Sequence, residues 1–279
     1  MKYVDLHVHT HFSDGTFSPQ EVVACAKEKN LSAIAICDHD CIDGVRQAIE
    51  LGEQIGLEVI PGIEMTVEWR DEEIHVLGYL IDIEYEWFTE KLRAMQQYRV
   101  DRMYKMIEKL REQNIAIDPR SVFTIAGLGS VGRPHLAQAM LLNGKADSMR
   151  EIFGKYLGDG KPCHVPNRRF DPREAIGAVR KAGGVPVLAH PYTVGKDELI
   201  PELAEYGLRG IEVYHTDHRS KERKRYEEIA KENGLIATGG SDCHGFGKGR
   251  ILMGGTKVPY AILEQVKEEA RKIRQANSA

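Results

Sequence analysis

The chain contains no run of about 18 apolar residues, the length a membrane-spanning helix needs, so no span is expected. Its opening stretch, MKYVDLHVHT, has neither an apolar segment of signal length nor a small-residue cleavage site, so no signal peptide is expected there. Cysteines are few. Cys25, Cys37, Cys41, Cys163 and Cys243 are odd in number and form no CxxC pair, which suits reduced thiols in a cytoplasm better than a disulfide framework. A basic excess is missing too: the net charge is −4, so a polyanionic substrate must be held by a local cluster or by metal ions. Repeats and low-complexity tracts are absent, and an apolar fraction of 42% against 29% charged residues excludes wholesale disorder.

What is present is an alternation of strand and helix signals. Residues 3–8 (YVDLHV) read as a strand. Ser18-Pro19 opens a helix to about Lys29, with Ser18 as N-cap. The apolar run 32–37 suits a strand buried on both faces, a helix spans 42–55, and strands follow near 57–63 and 73–80. VPVLAH, GIEVYH and LIATGG resume the pattern after residue 184. Strands alternating with helices predict a parallel sheet or barrel, and seven strands fit an incomplete or distorted one. Residues 84–165 interrupt the rhythm. A long amphipathic helix over 86–113 carries Phe88, Leu92, Met95, Met103, Met106, Ile107 and Leu110, and shorter helices follow near 134–142 and 147–157. This segment reads as a helical insert between two strands, its methionine stripe as core packing, and the charged helix 260–275 as a solvated outer face.

Almost every candidate strand delivers a metal-ligating residue type at its C-terminal end. These are His7 and His9, then Asp38-His39-Asp40, Glu64, His190, His215, and finally Asp242 and His244; His75 alone lies inside its strand. In barrel-like α/β folds that end of the sheet is where sites assemble. His7 and His9 are two apart, so on a strand they share a face. A lone strand histidine is more often a core residue than a ligand. Burying so many ionisable groups together without a cation would carry a heavy desolvation cost. Asp38 and Asp40 flank His39 and suit partners for the free N–H of histidine ligands, with an N-cap role equally open for Asp40.

DLHVHTHFSDGTFSP, AICDHD, PGIEMT, HVLGY, AHP and GSDCHG, in that order, resemble the PHP (polymerase and histidinol phosphatase) family over residues 3–80 and 184–250. The resemblance implies a distorted seven-stranded (β/α)7 barrel, over 1–83 and 166–279, with 84–165 as a substrate-capping insert. It also implies a trinuclear centre, with manganese first and zinc or iron as alternatives. His7, His9, Glu64 and Asp242 would hold one ion. Glu64 would bridge to a second, completed by His75 and His190, and Asp14, His39 and His244 would hold the third. His7, His9, Glu64, Asp242 and His244 form the implied catalytic core, where divalent ions activate water against phosphorus and clamp phosphoryl oxygens. Cys243, between two ligands, is expected to point away and be structural.

Gly132-Arg133-Pro134-His135 and Gly160-Lys161-Pro162-Cys163-His164-Val165-Pro166 are similar to stretches of one branch of that family. The branch holds phosphatases of 3′,5′-nucleoside bisphosphates and RNase AM-type 5′→3′ exoribonucleases. The similarity implies that Arg133, His135 and Lys161 grip a substrate phosphate; a guanidinium fork matches phosphate oxygens in pairs. Arg168-Arg169 could add positive potential. One of His215 and His218 is expected to contact substrate or protonate the leaving group. The expected activity is therefore a cytoplasmic, metal-dependent phosphoesterase acting on nucleotides or short RNA 5′ ends, with no membrane or obligate protein partner. The alternative is histidinol-phosphate phosphatase; a polymerase-associated module and a metal-storage protein rank lower.

Overall fold

In the computed structural model, residues 2–70, 72–127, 129–166 and 171–279 are described; Arg168 and Arg169 lie outside them. Strands β1 (Tyr3–Val8), β2 (Ala33–Ile36) and β3 (Glu58–Trp69) run parallel, with α1 (Pro19–Glu28) and α2 (Val45–Ile55) carrying the chain back between them. Helix α1 starts where the sequence says it should. The Ser18 hydroxyl accepts from the Glu21 N–H, the Glu21 carboxylate accepts from the Ser18 N–H, and Pro19 fills the first turn.

The next strand, β4 (Glu72–Tyr79), reverses direction. It pairs antiparallel with β3 from Gly62↔Tyr79 to Trp69↔Glu72, and antiparallel with β5 (Val185–Leu188) through Val76–Tyr79. The uniformly parallel pattern expected from sequence is therefore broken at β4. The reversal explains why His75 sits inside its strand. On an inverted strand the mouth lies toward the N-terminal half, so His75, paired with Thr66 of β3, comes just before the section paired with β5.

Between β4 and β5 lie α3 (Glu86–Glu112), α4 (Pro119–Ala126), α5 (Arg133–Leu142), the short α6 (Met149–Ile152) with a π-helical turn at Phe153–Leu157, and α7 (Pro172–Lys181). Helix α4 went unread in the sequence, although Asp118 caps it and Pro119 opens it. The chain then restores parallel pairing through β5, α8 (Leu199–Glu205), β6 (Gly210–His215), α9 (Ser220–Glu232) and β7 (Ile236–Gly240). A two-residue eighth strand, β8 (Val258–Pro259), lies antiparallel to β1 and leads into α10 (Tyr260–Ser278). The sheet order is β7-β6-β5-β4-β3-β2-β1-β8. The ring nearly closes because the chain just past β7 meets β1: the His9 N–H donates to the Cys243 carbonyl at 2.9 Å. Gly240 permits that approach, since a Cβ there would stand 2.4 Å from the His7 backbone nitrogen. The fold is an α/β distorted barrel of seven strands with a two-residue eighth.

The start of α3 (Phe88, Leu92, Met95) shares one apolar core with β3–β6, α7, α8 and α9. The rest of α3, including Met103 and Met106, builds a separate core with α4, α5 and the π-helical turn. The methionine stripe is packed interior. Helix α10 is less solvated than its charge suggests: Leu263, Val266, Ala270 and Ile273 are buried in the core that joins it to β1, β2 and β5. Burying each larger side chain contributes roughly 1.5–3 kcal/mol, so α10 seals the barrel wall.

Candidate active site

His7, on β1, and His9, just past its end, lie side by side, fully buried, with their Nε2 atoms 3.1 Å apart. The Glu64 Oε2 atom stands 3.3 Å from each of those nitrogens and 3.2 Å from His39 Nδ1. Its other oxygen, Oε1, faces His75 Nδ1 at 2.8 Å and His190 Nε2 at 3.0 Å. One buried carboxylate is therefore the hub of five imidazoles. Asp242, in the turn after β7, places Oδ1 3.2 Å from His9 Nε2 and 3.7 Å from His7 Nε2. Asp14, in the loop after β1, faces His244 Nε2 at 3.2 Å, His39 Nε2 at 3.8 Å and His9 Nδ1 at 3.9 Å.

Donor atoms converge in three groups, with each group's atoms within 4.8 Å of one another: His7-His9-Asp242, His39-Glu64-His75, and His9-Asp14-His39-His244. These groups hold eight of the nine residues named as ligands from the sequence; the ninth, His190, joins the same mouth through Glu64 Oε1 at 3.0 Å but belongs to none of the three. The groups overlap more than expected, because His9 and His39 each stand between two of them.

The chemistry of these donors fits cations. His244 Nδ1 lies 2.9 Å from the Asp242 carbonyl, which can only accept, so Nδ1 carries a hydrogen and Nε2 is the nitrogen left facing Asp14. Asp14 Oδ1 and His39 Nδ1 are buried with no hydrogen-bond partner. Lone pairs facing lone pairs are stable only around a proton or a metal. The fields agree. Burial opposes charge throughout, yet the histidines hold Glu64, Asp14 and Asp242 well below the usual carboxylate range. In return, against the pull of burial, the carboxylates hold His9 at about 9 and His75 at about 10. His39 goes the other way: burial depresses it strongly, His9 and His75 add to the depression, and Glu64 and Asp14 only oppose it.

Three site positions carry backbone strain. His190 (φ +25°), Asp242 (φ +52°) and Asp40 (φ +49°) occupy the left-handed region, at about 1–3 kcal/mol each.

Supporting residues differ from the sequence reading. Asp38 accepts from the Thr10 N–H and from the Thr10 and Ser13 hydroxyls, which fixes the loop bearing Asp14; it does not bond to His39. Asp40 is neither an N-cap, since Gly44 precedes α2, nor a histidine partner. It accepts from the Thr66 N–H at 2.9 Å and from Arg99 Nε at 2.6 Å. The histidine partner is Glu212, which sequence reading missed. It is fully buried in β6, sets both oxygens 3.1 Å from His7 Nδ1, and accepts from the His190 N–H. An acid within the apolar run GIEVYH was the available signal. Lys248, 2.5 Å from Asp242 Oδ2, was also missed.

His215 Nδ1 accepts from the Asp217 N–H, so its Nε2–H points toward Asp242 Oδ2 at 3.6 Å. His218 Nδ1 donates to the Val213 carbonyl, and its ring packs against Tyr192, His215 and Tyr226. Arg133 bonds to Asp159 at 2.6 Å and Glu73 at 3.1 Å. His135 accepts from the Gly132 N–H through Nδ1, which caps its own helix, and a hydrogen bond to the Ser13 backbone ties α5 to the loop bearing Asp14. Lys161 is exposed. Cys243 is buried and packs in the core beneath α1, and all five cysteines are free. A cavity of about 200 Å³ opens beside the cluster, lined by Asp14, His39 and His75 on one side and by Arg99, Arg102 and Arg133 on the other.

Comparison with known proteins agrees with this arrangement. The family model described as PHP domain matches residues 5–159. The chain is 30% identical to a 3′,5′-nucleoside bisphosphate phosphatase from Chromobacterium violaceum, over 99% of this chain and 100% of that protein. It is 34% identical to the 5′-3′ exoribonuclease Rnm from Escherichia coli K12, over 86% of this chain and 84% of that protein. A solved structure from Bifidobacterium adolescentis, provisionally described as a metal-dependent phosphoesterase, superposes with a TM-score of 0.88 at 31% identity, covering 95% of both chains. By family match, full-length similarity and fold, the chain belongs to the PHP family and is a metal-dependent hydrolase of phosphate esters.

Proposed function

We propose that this enzyme removes a phosphate from nucleoside 3′,5′-bisphosphates and trims short RNA from its 5′ end. The observation that carries the reading is Glu64, whose two oxygens divide five histidines between them while Asp14 and Asp242 flank the same mouth. The relatives' substrates are nucleotides and RNA, which favours this class over histidinol phosphate.

His7, His9, Glu64 and Asp242 would hold one ion, Glu64, His75 and His190 a second, and Asp14, His39 and His244 a third. Nitrogen and oxygen donors without thiolate suit manganese, iron or zinc, and manganese is our choice. Bound divalent ions supply water activation and neutralise phosphoryl charge. Glu212 keeps His7 Nε2 bare by taking its Nδ1–H. His215, rather than His218, aims an N–H at the mouth, which supports it as the group that protonates the leaving oxygen. Segment 84–165 forms the roof over the cavity, where Arg133 holds a phosphate and His135 keeps the Asp14 loop in place. Among the described residues no helix is long and apolar enough to cross a membrane, and the five free, buried cysteines suit a cytoplasmic enzyme.

Phosphate release should be measured with manganese on adenosine 3′,5′-bisphosphate, a 5′-phosphorylated oligoribonucleotide and histidinol phosphate. The bisphosphate should turn over fastest. Preferred hydrolysis of histidinol phosphate would overturn the substrate assignment. The same assay on His9→Ala should show turnover abolished with circular dichroism unchanged, because His9 stands in two of the donor groups. Wild-type rates in that variant would remove the metal mechanism.

A further inference from the structure

Three guanidinium groups line the cavity beside the metal cluster, and they are not equivalent. Arg99 is fully engaged, with Nε on Asp40, Nη2 on the Thr66 hydroxyl at 2.6 Å and Nη1 on the Val131 carbonyl. Arg133 is held between Asp159 and Glu73. Arg102 is different. Its Nε donates to the Val165 carbonyl at 2.6 Å, which fixes the plane of the fork, but its Nη2 is buried and has no hydrogen-bond partner. Its nearest carboxylate, Glu73 Oε2, stands 3.8 Å away, beyond hydrogen-bonding distance, and Glu73 is already engaged by Arg133 and near His75. Burial, with Arg133 and Arg99 adding to it against Glu73, lowers Arg102 to about 10. A buried, unsatisfied N–H donor on a positive charge is expensive unless an acceptor arrives.

We infer that Arg102 and Arg133 form the pocket for the second, non-reacting phosphate of the substrate, and that Glu73 is the counter-ion that this phosphate displaces. The inference rests on the proposed nucleotide activity and goes further, naming the residue that distinguishes a bisphosphate, or a nucleotide with a neighbouring backbone phosphate, from a simple monophosphate. Asp14, His39 and His75 line the same cavity, so a phosphate on Arg102 lies within one substrate molecule of the reacting centre. Glu73 reaches both arginines from β4, next to His75, and so keeps the pocket charge-balanced when no substrate is present.

The test is kinetic, on the manganese-loaded enzyme. Wild type should prefer adenosine 3′,5′-bisphosphate over adenosine 3′- and 5′-monophosphate. In Arg102→Ala, kcat/KM for the bisphosphate should fall on the order of 10- to 100-fold more than for either monophosphate, the scale of a lost charge-assisted hydrogen bond. Arg102→Lys, which keeps the charge but not the fork, should recover part of the preference. Equal losses on all three substrates, or no loss, would overturn the assignment. Sulfate titrated calorimetrically into the as-purified chain gives a second readout. Arg102→Ala should bind it at least about tenfold more weakly, and Glu73→Gln more tightly. Unchanged sulfate affinity in the first variant, or weaker binding in the second, would refute the pocket. If wild type turns over no nucleotide while sulfate binding still depends on Arg102, the substrate reading fails and the anion pocket stands.

Discussion

Glu212→Gln isolates what a buried carboxylate does for a metal ligand it never replaces. Both Glu212 oxygens lie 3.1 Å from His7 Nδ1, and Oε2 also accepts from the His190 N–H at 2.9 Å. A glutamine offers one acceptor in place of two. If its oxygen serves His190, its NH₂ meets the Nδ1–H of His7, and the imidazole must move its proton to Nε2, where the metal should be. The charge-assisted bond at stake contributes about 1.5–3 kcal/mol. At 1.4 kcal/mol per tenfold, and with some offset because a neutral amide is cheaper to bury, manganese should bind about 10- to 100-fold more weakly. Calorimetric titration of chelator-stripped protein with manganese reads this directly, and activity against free manganese should shift by the same factor. A dissociation constant within about threefold of wild type would refute the tautomer argument.

Arg99→Met should destabilise the fold by about 3–5 kcal/mol in urea titration, since it strands the buried Asp40 carboxylate; a loss under about 1 kcal/mol would show that the pair is not structural. Metal binding at pH 7 should release protons. In metal-free protein His75 is held at about 10 and His9 at about 9, both above the solution pH and therefore protonated, with the facing Nε2 atoms of His7 and His9 sharing one proton. Manganese enthalpies measured in buffers of different ionisation enthalpy should report at least one proton released per chain, and none released would contradict these shifts.

Much of the barrel could be read because local chemistry and tertiary role coincide there. Ser18 caps α1 and Pro19 opens it within the same turn, and His7 and His9 share a face because strands repeat every second residue. The residues that escaped notice are those whose role depends on a partner far away in the chain. Arg99 and Arg102 look like the solvated side of a long amphipathic helix, yet Arg99 finds Asp40 across 59 residues and Arg102 finds the Val165 carbonyl across 63. Glu212 meets His7 across 205 residues. The direction of β4 was equally hidden, because a strand reads alike either way until its neighbours are known.

That inverted strand has a mechanical consequence. Because β4 ends at the barrel floor, the 27-residue α3 that follows must climb the outer wall to reach the mouth, a rise of roughly 40 Å at 1.5 Å per residue. Its lower turns are bolted to the wall through Phe88, Leu92 and Met95, and its upper turns pack with α4, α5 and the π-helical turn. Arg99 and Arg102, which line the cavity beside the donor groups, are therefore aimed by the rotational phase of a single rod. One residue added between Met95 and Arg99 would swing Arg99 and Arg102 by about 100°, whereas the same insertion in the connection between α5 and α6 would leave their aim untouched.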